Sequence, residues 1–380
     1  MDFALTHEQR ALADSVRRFC ERHYDPASRR ALIESGTHFS AENWRAFVDL
    51  GWIGAGVSEA DGGFGGSAIE TAIILQEFGR ALVLEPFVGF AALALQTLVA
   101  LPVGETRDSL IAAILAGEAY VALAHGEPAS RGDIELCSSV AEETARGWTV
   151  SGHKSLVLGG AIASAYLVSA RNGEGIALFL VQAGAAGAVA RPYRSIDNHL
   201  VAHLHFEAAP ATLVAQSSVA GAAIAAGHAQ ALVCICAEAI GSMDVLMEIT
   251  GEYVRTRRQF GTTLGSFQAV QHRMADMLVE LELARSTLYY GLANIAVSGP
   301  ERGHALATMK AVVSAAALFV GRNAIQLHGA IGVTDECIVS HHYRRLTVIA
   351  ALFGNESLHL QKLSELRKPI WRAEPMEELL

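Results

Sequence analysis

The densest run of anion-binding chemistry in the chain is Arg257-Arg258-Gln259-Phe260-Gly261, with Gln268 seven residues past the glycine. Guanidinium groups make short, charge-assisted hydrogen bonds to phosphate oxygens, each contributing about 1.5–3 kcal/mol. A glycine loop at the end of a helix lets the backbone turn beside them. A pyrophosphate suits that arrangement, and so does the simpler use of arginines to complement a helix dipole. A second cluster, Gln326-Leu327-His328-Gly329-Ala330-Ile331-Gly332, offers glycines that admit a ligand close to the backbone or simply end a helix. His341 and His342 are adjacent, and on a helix such neighbours diverge instead of converging on a metal.

Helices must position both clusters. Residues 1–118 read as helical: Thr6 can cap a helix over LTHEQRALADSVRRFCERHY, a glycine-rich loop covers Glu59–Ser67, and a helix is expected over Ala68–Ala81. Strand character follows at Tyr120–Ala124, Trp148–Val150, Tyr166–Ala170, Ile176–Val181 and Val201–Phe206. The last alternates His203 and His205 against Leu204 and Phe206. Gln182–Pro192 reads as a connector. From Ser217 the chain is helical again. Ser266 is a candidate cap for a helix with Val270, Met274, Met277, Leu278, Leu281, Ala284 and Leu288 along one side. Ser298-Gly299-Pro300 breaks it before a helix that runs to His328. The expected class is α+β, mostly α: a helical domain (1–118), a middle β-barrel domain (119–216) and a C-terminal four-helix bundle (217–380).

The 380 residues are 51% hydrophobic and 18% charged, which supports large cores and excludes a disordered chain. A net charge of −10 argues against nucleic-acid or anionic-membrane partners. The five cysteines show no C-x-x-C pairing, which speaks against a disulfide framework or a zinc site. No secretory signal opens the sequence. The apolar stretches Ala81–Val103 and Val219–Ala237 carry polar interruptions and read as buried helices, without membrane insertion. A cytoplasmic protein is expected.

In their order, several pieces resemble the acyl-CoA dehydrogenase family along nearly the whole chain. They are Leu5-Thr6…Glu8-Gln9-Arg10, Asp61–Ser67, Glu77-Phe78-Gly79-Arg80, Glu127-Pro128…Asp133, Arg257–Gly261 and Gln326–Gly332. Within that family the texture is similar to the small subunits of bacterial pimeloyl-CoA dehydrogenases, which share the Glu238–Gly241 helix and a Leu-Phe-Gly turn. The resemblance implies an FAD enzyme that desaturates an acyl-CoA next to its thioester: a carboxylate removes the α-proton while the flavin takes the β-hydride. It further implies FAD shared across a subunit interface, a tetrameric assembly and an electron-transfer flavoprotein as acceptor. Carried over, the ADP-binding residues are Arg257, Phe260, Gly261, Gln268, Gln326, Leu327, His328 and Gly329, with Ala330 in place of a glycine.

The catalytic side departs from the family. RRLTVIAALFG (Arg344–Gly354) matches a motif that usually ends Tyr-Glu-Gly, so Phe353 stands where the base belongs. Ala231-Leu232 stand where some members carry a Glu-Arg pair. Leu156 and Leu158 replace a tryptophan and a threonine at the flavin ring, and Gly126 replaces a threonine. His125 could lie near the flavin, whereas Lys154 and Asp133 read as holding turns of the β domain. Three readings follow. The chain is the base-lacking subunit of a heteromeric enzyme, lending the ADP-binding half of the FAD site to a catalytic partner. Alternatively it is a homotetrameric dehydrogenase with the base relocated to Glu238 or Glu356, or a non-catalytic binding protein. For Glu238 an ion pair with a buried arginine, and for Glu356 a solvated place at a helix start, are the structural uses. A flavin monooxygenase on the same scaffold also needs no carboxylate.

Overall fold

The computed structural model describes residues 4–173 and 175–366. Thr6 caps α1 (His7–His23): its hydroxyl accepts from Gln9 N while the Gln9 side chain accepts from Thr6 N, which satisfies two amides at the helix start. Next come α2 (Pro26–Glu34), α3 (Ala41–Asp49) and α4 (Ala68–Ala81), the last with the expected bounds and its own reciprocal cap from Ser67 and Glu70. Ala81–Val103 is not one helix. Leu82 turns into the left-handed region, and helix resumes only after Pro86, as a π-helical stretch Val88–Ala94 that runs into α5 (Leu95–Val99). α6 (Glu105–Leu115) closes this part. Trp44, Phe47, Trp52, Phe78, Phe87 and Phe90 are buried together at its centre, with ring centroids 4.9–6.1 Å apart from one to the next.

Seven strands follow: β1 (Val121–Ala124), β2 (Val140–Thr144), β3 (Gly147–Leu158), β4 (Ala165–Arg171), β5 (Ile176–Gln182), β6 (Ala188–Arg194) and β7 (Leu200–Ala215). The five stretches read as strands fall on β1, β3, β4, β5 and β7. β2 and β6 are additional, and β6 overturns the reading of Gln182–Pro192 as a pure connector. β3 pairs β7, β7 pairs β5 and β5 pairs β4, while a single β2–β4 pairing at Val140 and Arg171 closes the ring. β6 lies on the edge against β7, where Pro192 costs no ladder bond to a further strand.

The C-terminal helices are α7 (Ser217–Thr256), α8 (Gln268–Asn294), α9 (Pro300–His328), α10 (Ile338–Ala351) and α11 (Glu356–Leu366). A two-residue-per-arm hairpin, β8 (Arg258–Gln259) and β9 (Thr262–Thr263), joins α7 to α8. Ser266 does not cap α8: its hydroxyl donates to Thr263 O inside a short 3-10 turn, and α8 begins two residues later. Met277, Leu281, Ala284 and Leu288 are buried as expected, but Leu278 points outward, 49% exposed. Ser217–Thr256 and Pro300–Val333 are long and apolar enough to cross a membrane, yet 72% and 61% of their most apolar windows are buried within the protein.

Two glycines bring α4 and α7 into backbone contact. A Cβ at Gly79 would lie 2.0 Å from Glu238 O, and one at Gly241 would lie 1.8 Å from Gln76 O. Beside this crossing Arg345 of α10 donates to both oxygens of Glu238 (2.5 and 2.6 Å) and to Asp197 Oδ2 (2.7 Å) in the loop before β7. All three side chains are buried. Removing the cation leaves the buried Glu238 carboxylate without its counter-ion and Asp197 with His199 (3.2 Å) in its place. Arg345→Met is expected to cost about 3–5 kcal/mol, read as a lowered midpoint in urea; an unchanged midpoint would show that the network carries no stability.

Candidate functional site

A cleft of about 320 Å³ opens between the β barrel and the C-terminal helices, lined among others by His125, Leu156, Leu158, Ile224, His228 and Phe353. Its floor is the turn after α10. Lys310, buried in α9, donates to Ile349 O (3.0 Å) and Ala350 O (3.1 Å), satisfying carbonyls that the helix end leaves free. The chain then reverses through Phe353 (φ +57°) and Gly354 (φ +95°). A phenylalanine in the left-handed region carries a cost of order 1–2 kcal/mol, and His359 holds it there by donating from Nε2 to Phe353 O (3.0 Å). The Phe353 ring meets the edge of His228, centroids 5.0 Å apart at 75°. On the barrel side the loop closes down tightly, since a Cβ at Gly132 would lie 2.5 Å from Gly354 N.

Among the described residues, Glu127 and Asp133 are the carboxylates on the cleft wall. Glu127 accepts from Lys154 Nζ (2.7 Å), Ser138 N (2.7 Å), and Ser139 N and Oγ. Burial works to raise its pKa, but these donors outweigh it and hold the carboxyl below the usual range. Lys154 is thus the counter-ion of a buried pair, beyond holding a turn. Asp133, also on the wall, accepts from Glu135 N in its own loop. His125 donates from Nε2 to Ile134 O and accepts at Nδ1 from Ser169, so its neutral tautomer is fixed; burial pushes its pKa down to about 4. His228 is pushed by burial to about 3 and likewise stays neutral. Sequence reasoning passed over His228; its place one helical turn before Ala231 was the available signal.

Neither candidate base reaches this cleft. Glu238 is locked on Arg345 and lines an adjoining cavity of about 40 Å³, which shares Leu156, Leu158 and Leu352 with the cleft. Glu356 is exposed at the first position of α11, away from the cleft wall. Ala231 is fully buried in α7.

The anion-binding residues gather elsewhere. Arg257 ends α7, and the hairpin beyond it puts Phe260 (φ +54°, 89% exposed) and Gly261 (φ +83°) at its tip. α9 ends at the same place. Tyr253 stacks on His328 (4.4 Å) and donates from its hydroxyl to His328 O, bringing the two clusters side by side. Arg257, Gln268, Gln326 and Gly329 are exposed there, Leu327 is half-buried, and no atom within 4 Å of Gly329 obstructs its approach. His228 and Arg257 lie on one continuous helix 29 positions apart, about 44 Å at 1.5 Å per residue. One chain therefore cannot fold its anion-binding end over its own cleft.

Family models for the N-terminal, middle and C-terminal domains of acyl-CoA dehydrogenase match residues 6–118, 122–209 and 220–365, in that order. The chain belongs to the acyl-CoA dehydrogenase family. It is 26% identical to acyl-CoA dehydrogenase FadE27 of Mycobacterium tuberculosis over 90% of this chain and 92% of the relative. Among solved structures it is similar to the ChsE4–ChsE5 complex of Mycobacterium tuberculosis, at 25% identity and a TM-score of 0.88 over 97% of this chain and all of the other. It is also similar to the Tcur3481–Tcur3483 steroid ACAD, at 26% identity and a TM-score of 0.86 over 94% and 97%. Helices, β barrel and helical bundle are thus the acyl-CoA dehydrogenase fold, and the chain is an oxidoreductase of the type acting on CH–CH bonds.

The buried histidines set an acid limit on this acyl-CoA dehydrogenase. His125, His228 and His342 are neutral in the fold, at about 4, 3 and 3, because burial disfavours the imidazolium. In the unfolded chain they take protons near pH 6.5. Stability is complete above that pH and falls as pH drops toward the folded values, by about 2 kcal/mol per histidine between pH 6.5 and 5. Urea midpoints at pH 7.5 and pH 5 should show this loss, reduced in part by Glu85, whose carboxyl burial pushes up to about 7 and which gains stability as pH falls; equal midpoints would mean that these histidines titrate normally.

Proposed function

We propose that this chain is the base-lacking subunit of a heteromeric, FAD-dependent acyl-CoA dehydrogenase and lends its nucleotide-binding end to a catalytic partner. The observation that carries the reading is Phe353. It occupies the floor of the cleft, where proton removal needs an acceptor, and its ring packs against the neutral, deeply buried imidazole of His228. Leu156 and Leu158 line the same cleft with apolar surface only.

The other half of the machinery fits its cofactor. Arg257 and Gly261 at one helix end, with Gln326 and Gly329 at the other, offer a guanidinium, a left-handed glycine turn and an amide on one exposed surface, as a diphosphate requires. The exposed Phe260 ring adds an apolar face. When bound, FAD supplies the hydride acceptor for the acyl β-carbon. This chain's residues bind and orient the nucleotide portion, and the α-proton passes to a carboxylate of the partner. Leu278, Val279 and Leu283 on α8, 49%, 63% and 50% exposed, give a partner an apolar surface beside this end. That ChsE4–ChsE5 is a complex of two differently named chains agrees with the reading. A dimer of heterodimers passing electrons to an electron-transfer flavoprotein completes it.

One observation favours catalysis in the chain's own cleft: a side pocket of about 170 Å³, sharing His228 and Ile134 with the cleft, is lined by Arg302 and Lys362 and by no carboxylate. It suits the phosphates of a coenzyme A ester. The two readings separate on flavin content. Purified alone, the chain should hold far less than one FAD per protomer and show no bleaching by acyl-CoAs. Co-expressed with a dehydrogenase-like chain that keeps the glutamate, it should yield a flavin-loaded, active complex. Arg257→Ala should then weaken flavin retention about tenfold or more. Stoichiometric flavin that bleaches in the chain alone would overturn the proposal.

A further inference from the structure

Far from the cleft, the N-terminal helices, the β barrel and the C-terminal helices meet around a second cavity of about 330 Å³. Four arginines line it: Arg29 and Arg30 from α2, Arg194 from the end of β6, and Arg344 from α10. We propose that this junction is a binding site for a phosphoryl-bearing small molecule.

Arg29 is the reason. Its side chain is deep in the protein, the residue only 4% exposed, and no carboxylate lies within ion-pair distance of it among the described residues. Nε donates to Leu82 O (2.9 Å) and Nη1 to His341 Nδ1 (3.1 Å). The accepting Nδ1 makes His341 neutral, and its Nε2 donates to Asp335 O (2.9 Å), so the imidazole returns no negative charge. Burial pushes the Arg29 pKa down to about 10; Asp197, beyond ion-pair distance and itself bonded to Arg345, pulls it up, and the neighbouring Arg344 and Arg345 lower it further, which still leaves a cation at neutral pH. Burying a guanidinium without a counter-ion costs several kcal/mol, and an anion in the cavity offsets that cost.

The surroundings add charge of the same sign. Arg30 and Arg194 stand exposed at the rim with no ion pair among the described residues, whereas Arg344 is occupied by Asp335 (2.6 Å). Glu34 and Glu336 share the rim, but both are exposed and neither is within ion-pair distance of an arginine. Water screens them from the interior. Guanidinium groups arriving from separate elements suit an oxyanion with acceptors in several directions, whereas a planar carboxylate is matched by a single fork. The volume exceeds that of one oxyanion, so the phosphoryl group can bring an organic body with it. Bound there, it would join all three domains, and nothing in this site depends on the chain's catalytic role.

Calorimetric titration of the intact chain with inorganic phosphate, pyrophosphate and AMP tests this, with sodium chloride holding ionic strength constant. A saturable binding step is expected that the rim variants weaken and that Arg257→Ala, at the nucleotide-binding end, leaves in place, together with a raised Tm. Arg30→Ala and Arg194→Ala should each weaken binding tenfold or more while leaving the fold intact. They carry the test, because Arg29→Met acts in the interior and can fail to fold for other reasons. AMP or pyrophosphate binding tighter than phosphate identifies a nucleotide as the source, and equal affinities identify free phosphate; both support the site. No saturable binding, or binding indifferent to both rim variants, overturns it.

Discussion

The buried guanidinium of Arg345 is the point on which the domains are aligned. It takes one carboxylate from α7 and another from the loop before β7, so helix bundle and β barrel share one counter-ion. The same carboxylate residue, Glu238, lies at the backbone contact made possible by Gly79 and Gly241. N-terminal helices, barrel and bundle are therefore registered against each other within a few ångströms. A buried pair of this kind is weak evidence of net stability but a strong constraint on geometry. Everything the cleft offers, from the Phe353 turn to the barrel wall at Leu156 and Leu158, is positioned from that junction.

α7 then separates the functions. Its N-terminal third walls the cleft through Ile224 and His228, and its last turn presents Arg257. A straight helix of this length keeps the two surfaces apart and fixes their relative orientation. A change of side chains at one end consequently leaves the geometry of the other untouched. Tyr253, His328 and the hairpin at Phe260 keep their geometry without any contribution from the cleft.

Much of this was legible in the residues. Thr6 and Ser67 announced their helices because capping is local chemistry, decided by neighbours three residues apart. The Glu77–Arg80 and Glu238–Gly241 motifs were visible as motifs, but only the structure shows that they are the two sides of one helix crossing. β6 escaped because an edge strand exposes both faces, leaving no apolar alternation over Ala188–Arg194 to detect. The Ser266 cap failed because a competing local bond, from its hydroxyl to Thr263 O, ties it into the preceding turn. The turn that carries Phe353 was readable from its Leu-Phe-Gly sequence. His228 was not readable as its neighbour, since that contact joins residues far apart in sequence across the cleft.

The length of α7 has a consequence for how such a protein responds to dilution. In the heteromeric assembly proposed above, a nucleotide held between the cleft of one subunit and the distal helix end of another belongs to neither alone. Its binding energy is also association energy, and each strengthens the other by the same free-energy coupling. Heat tolerance and cofactor content then both become functions of subunit concentration, following mass action instead of a fixed property of the single chain.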